Sequence, residues 1–188
     1  MMRSTRGDLI TKRIVFFDAT GTLWYPKTTR NNADPGWVYK DRKTRDVVHE
    51  HLIMSPTAKT TLERLNRMGI MCVIVSAVPY PLKKSKVQLE NTIKHFGLSR
   101  LIQEYHAVNM VDGSSKAKLI EKLLKKLKIN KNEALMVGDG YWQDYKFVRK
   151  RGIQALLVDS KYQNSRAAWQ IRRAKHRIYK LNEIIKCV

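Results

Sequence analysis

Two short stretches of the chain put an acid where an apolar run stops. In "RIVFFDATGT" the run Ile14 to Phe17 ends on Asp18, and small, hydroxylated and glycine residues follow. In "ALMVGDGYWQD" a second run, 134 to 137, leads through Gly138 to Asp139, with Asp144 five residues further on. If two such strand ends lie side by side at the carboxyl edge of a parallel sheet, their carboxylates cluster in the crevice where open α/β sheets bind ligands. Three clustered carboxylates call for a hard divalent cation, and with few soft ligands nearby the expected ion is Mg²⁺. Two further residues complement the acids. "VIVSAVP" ends a third run on Ser76, whose hydroxyl can hold a phosphate oxygen, and "DGSSKAK" puts Lys116 at the start of a helix, where ammonium and backbone N–H groups both favour an anion. Acid, metal, hydroxyl and amine together suit phosphoryl transfer, in which positioning and charge neutralisation do most of the catalytic work.

Elements that could hold these residues in place are legible around them. Strand-like runs at 13–17, 70–75, 101–108, 134–137 and 153–158 alternate with amphipathic segments. That alternation predicts an α/β fold, a three-layer Rossmann-like doubly wound parallel sheet covered by helices. Ser55 and Pro56 suit the cap and first position of a helix whose stripe is Leu62, Leu65 and Met68, with Gly69 as its stop. A second helix follows Pro81 and ends at Gly97. A third, 115–128, gathers Leu119, Ile120, Leu123, Leu124 and Leu127 on one face and sets Lys118, Lys122, Lys125 and Lys126 largely on the other.

Two stretches break the alternation. Residues 25–52 are polar and turn-rich, too short for a separate domain, and read as a long loop or hairpin flap beside Asp18, with no large cap. Trp24, just before this flap, and Trp37 within it read as packing residues, and His49 and His51 as surface or loop histidines, either of which could reach the site and move a proton. Residues 160–188 form a basic C-terminal extension: "SRAAWQIRRAKHR" has a helical pattern around Trp169, "IYKL" suits a short strand, and Trp169 and Tyr179 are expected to dock the tail. The whole of 1–188 reads as one domain.

Composition bounds the setting. Lysine and arginine total 37 against 16 aspartates and glutamates, a formal charge of +21, which favours polyanions and makes nucleic acid a candidate partner, although part of such charge is ordinarily solvated helix surface. The two cysteines, Cys72 and Cys187, have no CxxC spacing, and Cys72 lies in an apolar run, as a reduced core thiol would. No run of 18 apolar residues occurs, and no apolar stretch follows the basic N-terminus, so the expectation is a cytoplasmic protein with no membrane span.

"DATGT", "VSA", "SSK" and "GDGYWQD", in that order at the ends of successive elements, resemble the four motifs of the haloacid dehalogenase-like hydrolases. "TLW" followed by "VYKDRKTRDVVH" is similar to the small, capless magnesium-dependent phosphatase-1 family within them. The resemblance implies that Asp18 is a nucleophile forming an aspartyl phosphate. It also implies that Asp18, the Thr20 carbonyl, Asp139 and Asp144 hold Mg²⁺, and that Ser76, Lys116 and Gly21 bind the phosphoryl group. In most phosphatases of this kind a second Asp, two residues after the nucleophile, protonates the leaving group; here that position is Thr20. Losing such a group typically removes about 10²–10⁴-fold of rate. The substrate is then a phosphate ester, a phosphorylated macromolecule or a nucleic-acid end. The alternative is a nucleic-acid-binding protein on the same fold with little catalysis.

Overall fold

A computed structural model describes residues 11–28, 35–77, 80–109, 113–159 and 172–188. Its centre is a six-stranded parallel sheet. In chain order the strands are β1 (Ile14–Phe17), β4 (Met71–Ala77), β5 (Glu104–Val108), β6 (Ala134–Gly138), β7 (Gln154–Val158) and β8 (Arg177–Ile178), arranged β5-β4-β1-β6-β7-β8. β2 (Trp24–Pro26) and β3 (Leu52–Met54) form a separate antiparallel pair. The α-helices placed among the described residues are α1 (Ala58–Arg67), α2 (Leu82–His95), α3 (Ser115–Leu127) and the short α4 (Phe147–Lys150). The doubly wound architecture expected from the alternation is the one observed.

Period-two burial explains why the central strands are apolar throughout. In β1 Val15 and Phe17 point to one face and Ile14 and Phe16 to the other, and all four are fully buried. On the first face they meet Leu62 and Leu65 of α1 and Leu89 and Ile93 of α2; on the second, Ile120, Leu123 and Leu124 of α3 and Val148 of α4. The chain therefore winds from β1 outward to β5, crosses back by α3, and winds outward again from β6. Strand order reverses beside β1, so the carboxyl ends of β4, β1 and β6 bound one crevice.

Local details differ from expectation. The helix after Pro56 starts at Ala58 behind a left-handed Thr57 (φ 63°), and the Ser55 hydroxyl donates to the Thr22 carbonyl (2.5 Å) instead of capping it. Met68 lies outside the buried stripe at 45% exposure; Ala58 and Thr61 take its place beside Leu62 and Leu65. In the tail, β8 shares only Ile178 with the predicted short strand, Tyr179 is 62% exposed, and Ile178, Leu181 and Ile184 do the docking. Trp169 and most of the predicted tail helix lie outside the described residues. No described helix is long and apolar enough to cross a membrane.

Candidate active site

Asp18 follows β1 directly, and its amide still bonds the Val137 carbonyl of β6 (2.8 Å), so the sheet itself fixes where the carboxylate begins. The chain then turns sharply: Leu23 N–H donates to Ala19 O (2.8 Å) and Gly21 N–H to Trp24 O (2.7 Å). Gly21 has φ +94°, and a Cβ there would lie 2.3 Å from Asp139 Oδ2. Its amide is spent on the turn, so what Gly21 contributes is room for Asp139, not a donor for phosphate. Asp139 follows β6 and receives the Thr22 hydroxyl at 3.4 Å.

Asp144 reaches the same place by an unusual route. Tyr141–Lys146 forms a π-helical turn whose extra residue carries the carboxylate back beneath the start of the segment, where Gly140 N–H donates to Asp144 Oδ2 (2.8 Å). A Cβ on Gly138 would lie 2.4 Å from Asp144 Cγ, which explains the glycine before Asp139. Lys116, in the first turn of α3, is buried and donates to both Asp18 Oδ1 and Asp144 Oδ1, the latter at 2.7 Å. Ser76 is buried near the end of β4, two residues beyond the register partner of Phe17 and so level with the loop after Asp18. The predicted acids and lysine thus converge, and Ser76 and Gly21 border them.

The electrostatics are those of a charge cluster short of one cation. One carboxylate oxygen from each of Asp18, Asp139 and Asp144 lies within 4.8 Å of the others. Burial, then Asp18 and Asp144, push the Asp139 pKa well above the ordinary carboxylate value. Burial pushes Asp144 up to about 6 against the pull of Lys116. Burial alone would lower the Lys116 ammonium; Asp144 and Asp18 overcome it and raise its pKa above the usual lysine value. Three hard oxygen donors, mutual repulsion that a divalent ion would relieve, and a glycine-cleared approach beside Asp139 all fit Mg²⁺.

The residue that sequence reasoning missed is Tyr39. Within the insert, Pro35–Tyr39 and Val48–His51 are short 3-10 turns, and Trp37, Val38, Tyr39 and Val48 are buried against the core. The Tyr39 hydroxyl lies 2.6 Å from Thr20 Oγ1. Burial, only partly offset by that hydrogen bond, holds its phenol up to about 12. His49 of the insert does not take this place. From Tyr39 the segment descends along α2, with Arg45 O accepting from Gln88 and Asp46 from Lys84, until the His49 ring meets His95 at the far end of that helix (5.3 Å). The only signal in the sequence was an aromatic cluster, "WVY", in an otherwise polar stretch. Trp24 and Trp37 are packing residues, as expected.

A family model for haloacid dehalogenase-like hydrolases matches residues 26–158, over two thirds of the chain. The chain belongs to that family. The matched span carries Ser76, Lys116, Asp139 and Asp144, and it begins after Asp18. Solved structures with this fold include a phosphatase of the family from Thermococcus onnurineus, 18% identical over 93% of this chain and 97% of that one, with a TM-score of 0.64. A predicted phosphoglycolate phosphatase from Haemophilus somnus is 15% identical over 94% and 97% (TM-score 0.67), and a dehalogenase with an intermediate complex is 16% identical over 95% and 97% (TM-score 0.68). At such identities the likeness is one of fold. No curated protein matches the chain.

Proposed function

We propose that this haloacid dehalogenase-like hydrolase is a Mg²⁺-dependent phosphatase that works through an aspartyl phosphate on Asp18. The observation that carries this reading is the Asp18 carboxylate held between the buried Lys116 ammonium and the acids Asp139 and Asp144. Asp18 attacks phosphorus, the bond to the leaving oxygen breaks, and water then cleaves the acyl phosphate to release inorganic phosphate and restore the carboxylate. Lys116 holds the Asp18 carboxylate by a hydrogen bond and, with Ser76, steadies the phosphoryl oxygens. Asp18, Asp139, Asp144 and the Thr20 carbonyl would hold the ion, which when bound neutralises charge on the nucleophile and the phosphoryl group. Displacement of a halide would use Asp18 and Lys116 but would leave the two further acids without a task.

The small insert supports kinship with the capless magnesium-dependent phosphatases and a site open to bulky phosphate monoesters, macromolecular ones included. The buried, unpaired thiol of Cys72 supports a cytoplasmic setting. Neither hydroxyl of the Thr20–Tyr39 pair readily gives up or takes a proton at neutral pH, so departure of a poor leaving group goes unassisted and, with a good one, hydrolysis of the intermediate is the slow half of the cycle. The test is hydrolysis of an aryl phosphate with and without Mg²⁺. Asp18→Asn should abolish Mg²⁺-dependent turnover while the variant stays folded, and full activity in that variant would refute the nucleophile.

A further inference from the structure

A concentration of positive charge lies outside the acid cluster. A cavity of about 340 Å³ is lined by the cations Lys146, Arg149, Lys150, Arg173 and Lys175, with no acid among its lining residues. The buried rings of Tyr141 and Tyr145, stacked at 5.9 Å, complete it. One wall is the π-helical turn with α4, and the other is the C-terminal segment. The two are tied together because the Lys175 and His176 amides both donate to the Tyr145 hydroxyl, at 3.1 and 3.4 Å. The cavity's shape is thus set by hydrogen bonds and does not depend on side-chain chance. Arg149 stacks over the Tyr145 ring at 5.4 Å, which orients its guanidinium. Lys146, Arg149, Lys150 and Lys175 form no ion pair with a carboxylate among the described residues. The neighbouring His176 has its pKa lowered by burial, Arg149 and Lys175, as a positive field requires.

A second observation decides what kind of anion fits. Trp142, next in sequence to Tyr141 and in edge contact with it (5.3 Å), also lies 6.0 Å from the Phe147 ring, over which Lys150 sits, and is 43% exposed. An acidic peptide would use the charge and has no need of the indole; a bilayer could take the indole, but the cations line a groove between two chain segments, which suits a strand of phosphates better than a membrane plane. A single nucleic-acid strand uses both, its phosphates following the cations and an unstacked base lying on the indole. We propose that this groove binds single-stranded nucleic acid, with Arg149, Lys150 and Lys175 on the phosphates and Trp142 as the stacking platform. The proposal goes beyond the hydrolytic reading and does not rest on it.

The test is binding of the full chain to a labelled oligouridylate or oligothymidylate with hydroxyl ends, which is not a phosphatase substrate, followed by anisotropy across a salt series. Replacing Arg149, Lys150 and Lys175 together by Gln should weaken binding at about 50 mM salt at least about tenfold and reduce the slope of log K against log salt by about 2, three single-strand phosphate contacts. The control removes the same charge from the opposite face of the sheet, Lys59, Lys83 and Lys86→Gln, and should lose far less. Trp142→Ala should weaken binding at least about fivefold with the salt slope unchanged. Thermal unfolding verifies that each variant is folded; should the triple variant fail there, Lys150→Gln and Trp142→Ala alone carry the comparison. The proposal is overturned if the wild-type chain does not bind at about 50 mM salt, or if groove and control variants lose equally. It is also overturned if polyglutamate or phosphatidylserine vesicles displace the oligonucleotide as well as unlabelled strand does.

Discussion

At position 20 a threonine hydroxyl meets the Tyr39 phenol at 2.6 Å, and neither readily gives up or takes a proton at neutral pH. Esters with poor leaving groups should therefore turn over slowly relative to aryl phosphates. Thr20→Asp should raise alkyl phosphate hydrolysis at least about tenfold, a modest share of what a general acid/base supplies. Equal wild-type rates on alkyl and aryl esters, or no gain in a variant that still binds Mg²⁺, would contradict this. The acids make a separate prediction about stability. Asp139 has a folded pKa above its unfolded one, so its stabilising contribution is complete below the ordinary carboxylate value and is lost as pH rises through the folded value; Asp144, pushed to about 6, behaves alike. Without metal, Asp139→Asn should unfold at a temperature at least about 2 °C above wild type at pH 7.5, the shift that ~1 kcal/mol gives a chain of this size, and the gap should shrink towards pH 4. Mg²⁺ should raise the wild-type midpoint more at pH 7.5 than at pH 5. A variant less stable than wild type at pH 7.5 would show that Asp139 is not a repelled charge.

The elements differ in how plainly they could be read. β1, β4, β6 and β7 were visible because burial on both faces makes a central parallel strand a continuous apolar run. The helix stripes were visible where 3.6-residue spacing dominates, and they failed at Met68, where the last turn leaves the core. Asp18, Ser76 and Asp139 could be found because each closes an apolar run, Lys116 because it opens a helix, and Asp144 by its spacing from Asp139. Tyr39 could not, because its place depends on tertiary contacts with no local period. Its carbonyl accepts from the Tyr80 hydroxyl (2.5 Å), which also reaches Arg45 O (3.1 Å), and Thr44 Oγ1 closes the same turn on Val38 O (2.6 Å). Tyr80→Phe should cost about 0.5–1.5 kcal/mol and speed amide hydrogen exchange in residues 38–47, leaving the sheet protected. Unchanged exchange there would mean that Tyr80 does not hold the insert.

Taken whole, the molecule assembles one site from stretches that lie far apart in the chain, because reversal of strand order beside β1 brings the ends of β4, β1 and β6 together. The net charge of +21 does not build that site, whose own residues are mostly acids. Its weight falls on the surface, so hydrolysis of a small aryl phosphate should respond only weakly to salt between about 50 and 200 mM, where nucleic-acid binding falls steeply. A steep loss of small-substrate turnover would place surface charge in the catalytic path. The central claim is that Asp18 becomes phosphorylated, and the slow second half of the cycle makes this visible. Wild-type protein is mixed with an aryl phosphate and Mg²⁺, quenched in acid and digested, and the peptides are weighed by mass spectrometry. One phosphoryl group, labile to hydroxylamine, should appear on the peptide containing Asp18, should be absent without Mg²⁺ and in Asp18→Asn, and should accumulate less in Thr20→Asp. Mg²⁺-dependent turnover with no phosphoryl group on that peptide, or with one on another residue, would contradict the account.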